Sequence, residues 1–294
     1  MTGAVYDRGY RPYEGPHGGR AGARTALFRA TVRRALGLRR SWRQKVAPFV
    51  LLAIAVIPAI VNVGVKYLTR NTPANDIEFF TYREYVGVSN ALLVFVGLTA
   101  PDIMCPDRRQ RVLPLIFARP LTGIDYVMAK VGAMVAILFA FSFIPQVVLF
   151  VGQMLVSEDG ALSYLRDNAE IIWQVPVSVA LLSIYYALLG VAIASLTSRR
   201  IIAGATFVGL LLVSSIISGV LVGEQEVARG SAAGLINLAG LPLVVRDLVF
   251  LGEVGDGHGM AGLANGGLYA VIVFTLVVAA SVVTLIVRYD EVER

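Results

Sequence analysis

The chain has 294 residues, of which 56% are hydrophobic and only 16% are charged. Soluble domains carry about 25% charged residues because their surface faces water, so this composition excludes an ordinary soluble protein and indicates a membrane protein. The single cysteine, Cys105, excludes an intrachain disulfide framework and a cysteine-based zinc site. The net charge of +6 does not point to nucleic acid, because basic residues in membrane proteins flank the spans.

The N-terminal stretch divides into a tail and a surface helix. Residues 1–23 are rich in Gly, Arg, Tyr and Pro without apolar periodicity, which predicts a disordered cytoplasmic tail. Residues 24–43 place their apolar side chains on one arc of a helical wheel and most of their arginines on the rest. Such an amphipathic helix before a span is expected to lie along the inner membrane surface. A plain positive-inside anchor is the alternative interpretation of these residues, and the two are compatible. We place the transmembrane domain at 24–294.

Six segments are long and apolar enough to cross a bilayer, which takes about 20 residues per helix. They are residues 46–66, 86–104, 131–156, 175–196, 201–222 and 268–287. The stretches on one side of these spans, with Asp102, hold 20 of the 26 Lys and Arg but only 8 of the 20 acidic residues. Basic residues resist translocation, so both termini are expected in the cytoplasm. The sequence predicts an all-α, multi-pass bundle of six spans in the cell membrane.

One apolar segment between the fifth and sixth spans does not fit a simple crossing. Residues 235–251 are short, broken by Gly240 and Pro242, and carry Arg246 and Asp247. A charge at mid-bilayer costs roughly 2.5–3.5 kcal/mol on insertion scales. We therefore expect a re-entrant or interfacial hairpin of two half-helices on the outer side. The alternative, a seventh span, would place the C-terminus outside.

Polar residues inside two of the predicted spans mark a possible substrate path. Asn62 lies near Pro58 in the first span, and Gln146 and Gln153 follow Pro145 in the third. Most polar residues at such positions bond to backbone groups that a kink has freed. A minority line a route through the membrane, so we keep Asn62, Gln146 and Gln153 as candidates for one.

Motifs for nucleotide hydrolysis and zinc chemistry are missing from the sequence. No lysine follows a glycine, which excludes a P-loop. No H-E-x-x-H zinc motif and no G-x-S-x-G nucleophile elbow is present. Residues 257–262 match the dinucleotide pattern G-x-G-x-x-G, but no βαβ unit surrounds them, so the match is a false positive. We expect no enzymatic activity, metal or cofactor in this chain.

The densest pattern lies in the second cytoplasmic loop, residues 101–130. A charged turn at 107–111 leads into an apolar stretch at 112–117, and Asp125 precedes the third span near an N-cap position. An apolar helix flanked by charges is suited to docking in a groove of another protein. An interfacial helix that contacts only lipid head groups would have the same pattern, and periodicity does not separate the two.

This loop resembles that of the membrane subunits of ABC-2-type ABC transporters. The residues that match the family's pattern are Asp107, Arg108, Leu113, Ala118-Arg119-Pro120-Leu121, Tyr126 and Lys130. An arginine common in the family after the proline-leucine pair is replaced here by Gly123-Ile124-Asp125. The layout also agrees over 24–294, with a surface helix, six spans and a broken apolar element before the last span.

The resemblance implies a permease subunit of an ABC exporter. In that family the loop holds a coupling helix that inserts into a separate P-loop ATPase subunit, which binds ATP and Mg²⁺, and two membrane subunits work together. The implied partners are thus an ATPase, a second copy or a paralogue, and the lipid bilayer. The residues implied to couple to the ATPase are Asp107, Arg108, Arg109, Leu113, Arg119, Pro120, Arg199 and Arg200.

Three other functions are weighed against this interpretation. A proton-coupled secondary transporter needs carboxylates near the midplane, and no Asp or Glu lies centrally in the six predicted spans. A lipid-modifying intramembrane enzyme needs clustered carboxylates or a His/Asp pair, whereas Asp102, Asp107 and Asp125 are interleaved with arginines. A membrane subunit that signals without transporting is compatible with the layout, and the sequence names no substrate.

Overall fold

The computed structural model describes residues 18–38, 42–69, 81–86, 89–118, 120–157, 160–223 and 230–293, and all regular secondary structure in these ranges is helical. The helices are α1 (Gly19–Ala35), α2 (Trp42–Thr69), α3 (Tyr82–Tyr85), α4 (Ser89–Arg109), α5 (Leu113–Phe117), α6 (Gly123–Val156), α7 (Ala161–Asp167), α8 (Ile171–Leu196), α9 (Arg200–Gly223), α10 (Leu241–Leu251) and α11 (Gly266–Glu293). A 3-10 turn, Ala232–Ile236, precedes α10.

Five of these helices are long and apolar enough to cross a membrane. They are α2, α6, α8, α9 and α11. The all-helical class is confirmed, and five of the six predicted spans correspond to helices with the length and composition of a span. The predicted second span overlaps α4, which carries Asp102, Asp107 and Arg108 toward its end and is not among the five helices. A span at α4 therefore stays a prediction.

Contacts at the two ends of α4 show that it runs the length of the bundle beside α8 and α9. The carbonyl of Val86, just before α4, accepts a hydrogen bond from Arg246 of α10. The Asp107 carboxylate in the last turn of α4 pairs with Arg34 of α1. We call the end that carries α1 and α5 the α1 end, and the opposite end the α10 end.

The helix α8 forms the centre of the bundle. Over a membrane-length stretch, 72% of its residues are buried, against 39% or less in the other four apolar helices. Those four show apolar side chains outward, as contact with lipid requires. The backbones of α4 and α9 approach closely, since a Cβ on Gly204 would lie 2.6 Å from the Gly97 carbonyl oxygen. The two backbones meet there because neither position has a side chain.

The helix α1 packs its apolar side against the bundle. Thr31 and Ala35 are buried, and Leu27 packs against the core, whereas Arg29 and Arg33 are exposed. A position along a membrane surface stays a prediction. The predicted tail 1–23 overlaps α1 at residues 19–23, and residues 1–17 lie outside the described residues. The helix begins earlier than predicted because Arg20 finds a distant partner, Asp125, which local composition does not reveal.

The segment predicted as a broken hairpin, 235–251, contains a single α-helix. The 3-10 turn is followed by α10, which has Pro242 in its first turn and ends at Gly252 with φ 76°. This positive φ suits the glycine, since other residues rarely adopt it. An 11-residue helix is about 16 Å long, which is too short to span a bilayer. Its re-entrant placement stays a prediction.

Candidate functional site at the α1 end

A buried carboxylate, Asp107, joins three helices at the α1 end. Its Oδ1 accepts from Arg34 Nη1 of α1 at 2.6 Å, and its Oδ2 accepts from Lys130 Nζ of α6 at 2.6 Å. The Tyr126 hydroxyl, also on α6, donates to Oδ2 at 3.0 Å. Burial raises the pKa of the Asp107 carboxyl, but Lys130 and Arg34 outweigh burial and hold that pKa below its ordinary value. Asp107 is therefore ionised in the folded chain.

The lysine of this network is itself buried. Lys130 is 2% exposed, and its ammonium group also donates to the Ile103 carbonyl of α4 at 3.1 Å. It lies 5.3 Å from the centre of the Tyr126 ring, a cation–π distance. A buried ammonium is tolerated only where an anion and further acceptors surround it. The arrangement therefore fastens α4 to α6 at one fixed relative position.

A second carboxylate, Asp125, starts α6 and holds the beginning of α1. Thr122 is the N-cap of α6, and its side chain and that of Asp125 form a reciprocal capping box. Asp125 also pairs with Arg20 at 2.6 Å and with Arg24 at 3.5 Å. Asp125, predicted to lie near an N-cap position, is thus the third residue of α6, and the N-cap itself is Thr122. Together with Asp107, Asp125 ties both ends of α1 to the bundle.

The short helix α5 lies between these two anchors. Leu113 at its start and Leu121 after it are buried, whereas Leu115 in its middle is 71% exposed. The turn that leads into it passes through Arg111 at φ 52°. The result is a single helical turn that is fixed on both sides and projects an apolar side chain outward.

The turn between α8 and α9 lies against the end of α4. A guanidinium nitrogen of Arg108 donates to the Ser195 carbonyl of α8, and Arg200 pairs with Asp102 at 2.7 Å. Arg199 is exposed. Because Arg108 and Arg200 bind groups of their own chain, they brace this turn rather than extend from it.

The predicted coupling residues thus separate into an outward and an inward group. Arg109, Pro120, Arg199 and Arg200 are exposed. Asp107 and Leu113 are buried. Arg119 lies outside the described residues. A role in coupling stays a prediction for all eight, and the exposed members are the ones that another protein can reach.

Sequence reasoning missed the network around Asp107. It singled out Asp107 as a contact with a partner and gave no site role to Arg34, Tyr126 or Lys130. The available signal was Lys130 itself, a charged residue at the start of an apolar run, which needs a buried anion. The sequence does not say which of several acids supplies that anion.

Two of the predicted path residues meet on one side of the bundle. Gln146 lines a cavity of about 160 Å³ between α6 and α8, whose other walls are apolar. Its Nε2 donates to the Tyr82 carbonyl at 3.3 Å, and its Oε1 is buried without a hydrogen-bond partner among the described residues. Gln153 accepts from the Tyr164 hydroxyl at 2.8 Å, and Tyr164 in turn lies 2.6 Å from the Tyr82 hydroxyl.

The third path residue, Asn62, is buried in α2 at 5% exposure. Its neighbour Val63 packs against Gly152 of α6, so this part of α2 lies beside the part of α6 that carries Gln153. Whether a substrate passes Asn62, Gln146 and Gln153 stays a prediction.

A second charged cluster occupies the α10 end. Asp247 Oδ1 accepts from the Arg246 guanidinium at 2.7 and 2.8 Å, and Oδ2 lies 3.0 Å from His258 Nε2 and 3.9 Å from Arg83 Nη1. Burial raises the pKa of the Asp247 carboxyl, but His258 and Arg246 outweigh it and hold that pKa below its ordinary value. These contacts explain how α10 carries two charges: each is neutralised inside the fold.

Within the described residues, no three His, Cys, Asp or Glu side chains come together as a metal site requires. A scan against protein-family models, a search of curated proteins and a search of solved structures each found no match.

Proposed function

We propose that the chain is the membrane-spanning permease subunit of an ABC exporter, which moves its substrate with ATP hydrolysed by a separate P-loop ATPase. The observation that carries this proposal is α5: one helical turn at the α1 end, held by Leu113 and Leu121, with Leu115 exposed. The resemblance of residues 107–130 to the coupling loop of ABC-2-type permeases supports the same assignment.

The surface around α5 suits an intermittent protein contact. The exposed Leu115 gives an apolar centre, and the exposed Arg109 and Arg199 give a basic rim. An apolar anchor surrounded by charge is the usual composition of a protein interface. The ATPase groove that receives α5 is accordingly expected to be apolar at its base and acidic at its edge.

The proposal includes the six-span topology. We count α4 as the remaining span, because Val86 just before it contacts the α10 end and Asp107 in its last turn contacts the α1 end. The α1 end then faces the cytoplasm of a cell-membrane protein, with both termini on that side and α10 re-entrant from outside. The excess of basic residues on this side supports this orientation.

The ion network supplies a route by which motion at α5 reaches the bundle. Closure of the ATPase dimer pushes on α5, and the ends of α4 and α6 are joined there through Asp107 and Lys130. Arg34 and Arg20 carry α1 along with them. Two permease copies, or this chain and a paralogue, then open outward and release an amphiphilic cargo; the mostly apolar cavity at Gln146 favours that class.

The buried carboxylates favour this mechanism over proton-coupled transport. A carboxylate that carries protons must alternate between ionised and neutral forms. Asp107 is held ionised by Lys130 and Arg34, and Asp247 by Arg246 and His258. Their geometry supports an anchoring role for both.

The test is affinity purification of the tagged chain from its own membranes in mild detergent, with identification of any P-loop ATPase. The double variant Arg109→Glu/Arg199→Glu is expected to lose most of the bound ATPase because it reverses the basic rim. Arg166→Glu, an exposed charge reversal on α7 at the other end, is the matched control and should retain it. Arg108 is avoided, since it binds the Ser195 carbonyl.

Three results would contradict the proposal. The first is the absence of an ATPase from the wild-type preparation. The second is equal ATPase recovery from Arg109→Glu/Arg199→Glu and wild type. The third concerns topology: a C-terminal reporter that proves to be outside the cytoplasm.

A further inference from the structure

An apolar groove lies beneath α1, away from the charged contacts described above. It has a volume of about 370 Å³ and is bounded by α1, α2, α4 and α6. Representative lining residues are Phe28, Leu36, Leu52, Phe95, Ala136 and Ile144. Every residue along it is apolar, so its occupant has no hydrogen bond to gain there.

The groove is long enough to hold part of one hydrocarbon chain. Its α6 wall runs from Ala136 to Ile144, nine residues that rise about 12 Å along the helix. A hydrocarbon chain has no polar group that would lose a hydrogen bond in this all-apolar groove, whereas an extended peptide strand would leave its backbone groups unpaired there.

The groove is open toward the lipid side of the bundle. Ala136 and Ala140, one turn apart on α6, both line it and are both exposed. Their small side chains leave the space that a larger residue would fill. An acyl chain can thus enter the groove from the surrounding bilayer without the helices moving apart.

Two unpaired arginines border the groove on α1. Phe28, Val32 and Leu36 form the α1 wall, spaced four residues apart on one stripe. At 100° per residue, Arg29 and Arg33 fall on the adjoining stripe, on the side away from the buried Thr31 and Ala35.

The pairing of the α1 arginines is uneven. Arg20 and Arg24 bind Asp125, and Arg34 binds Asp107. Arg29 and Arg33 are exposed and form no ion pair with the described residues. The α1 edge of the apolar groove therefore carries two cations that form no ion pair with the described residues, which favours an anionic group at that position.

We propose that this groove is a binding site for an anionic phospholipid, with one acyl chain along α6 and the phosphate at Arg29 and Arg33. The apolar lining provides affinity for the chain, and the two arginines select for negative charge. The bound lipid completes the contact between α1 and the bundle. The site does not rest on the export function proposed above, because it uses none of the residues around α5.

The test uses the full chain reconstituted in vesicles that contain phosphatidylglycerol or phosphatidylcholine with a photoactivatable group on one acyl chain. After irradiation, cross-linked peptides are mapped by mass spectrometry, and lipid retained in mild detergent is counted by native mass spectrometry. We expect phosphatidylglycerol to label α1 and the 136–144 stretch of α6, and to be retained in preference to phosphatidylcholine.

Two double variants test the contact with the acyl chain and the contact with the head group independently. Ala136→Phe/Ala140→Phe is expected to abolish the labelling of α6, while Ala205→Phe, at an exposed alanine on α9, leaves it unchanged. Arg29→Gln/Arg33→Gln should lower the preference for phosphatidylglycerol by about ten- to thirtyfold, since each basic residue near the surface contributes about fivefold. Arg111→Gln, an exposed charge at the same end, is its control.

Five outcomes overturn the proposal, the first four of which concern the variants and the two lipids. They are labelling of α6 that survives Ala136→Phe/Ala140→Phe, equal retention of the two lipids by wild type, an unchanged preference in Arg29→Gln/Arg33→Gln, and an equal loss in Arg111→Gln. Labelling that spreads evenly over α2, α9 and α11 would show bulk lipid contact only and would also reject it.

Discussion

The substitution Asp107→Leu removes the anion beside a lysine that is 2% exposed. Arg34, whose side chain is 36% exposed, can turn to water when Asp107 is lost, whereas Lys130 cannot. Removing one partner of a buried ion pair typically lowers the free energy of unfolding by about 3–5 kcal/mol. We expect Asp107→Leu to fall in that range.

The double variant Asp107→Leu/Lys130→Met provides the decisive comparison. It replaces the pair with apolar side chains, a change that is often neutral in buried sites. Lys130→Met alone should be milder than Asp107→Leu, because Arg34 and the Tyr126 hydroxyl still bind Asp107. The expected order of stability is therefore wild type near the double variant, then Lys130→Met, then Asp107→Leu.

The assay is thermal unfolding in mild detergent, followed by intrinsic fluorescence and by size-exclusion recovery. A loss of 3–5 kcal/mol corresponds to a fall in Tm of roughly 6–20 °C on the scale of mid-sized domains. If the losses from the two single variants simply add in the double variant, Asp107 and Lys130 are not coupled. The account of how α4 is fastened to α6 would then be refuted.

Two further predictions concern the packing of α9 and the cluster at the α10 end. Gly204→Ala should destabilise the bundle, because its Cβ meets the Gly97 carbonyl oxygen at 2.6 Å. Gly209→Ala, whose Cβ would have nothing within 4 Å, should be neutral or stabilising by up to ~1 kcal/mol. Equal effects of the two variants in thermal unfolding would argue against the close contact. The pKa of the Asp247 carboxyl is lower in the folded than in the unfolded chain, where it is about 4. The stability that this carboxylate contributes is therefore complete above a pH of about 4 and is lost as the pH falls below it. The Tm of Asp247→Asn should therefore change less between pH 6 and pH 3.5 than the Tm of wild type. If the two proteins show parallel profiles of Tm against pH, this would count against the pairing of Asp247 with His258.

The long apolar helices were predictable from local pattern. The span predicted at 201–222 is α9 (Arg200–Gly223), because its boundaries are a four-residue polar turn on one side and a change of composition on the other. The start of α6 was less accessible. It begins at Gly123 rather than 131, since the capping box of Thr122 and Asp125 starts the helix about two turns before the uninterrupted apolar run.

The candidate site was predictable in location but not in its connections. The loop at 107–121 stands out by its charge and its family resemblance, and the structure places α5 there. Asp107 pairs with Arg34, which lies 73 positions earlier in the chain, and with Lys130, which lies 23 positions later. Sequence spacing carries no information about such distant contacts, because any of several nearby arginines and acids satisfies the same local pattern.

The attachment of α1 has a consequence for how the chain is assembled during synthesis. Arg34 pairs with a residue 73 positions later, and Arg20 with one 105 positions later. Chains grow from the N-terminus at about 5–20 residues per second, so α1 exists for several seconds before either acid has been made. During that interval we expect water and anionic lipid head groups to be the partners of its arginines. We therefore expect the helix to stay beside the bilayer until α4 and then the start of α6 have been made, and to dock only when both are present.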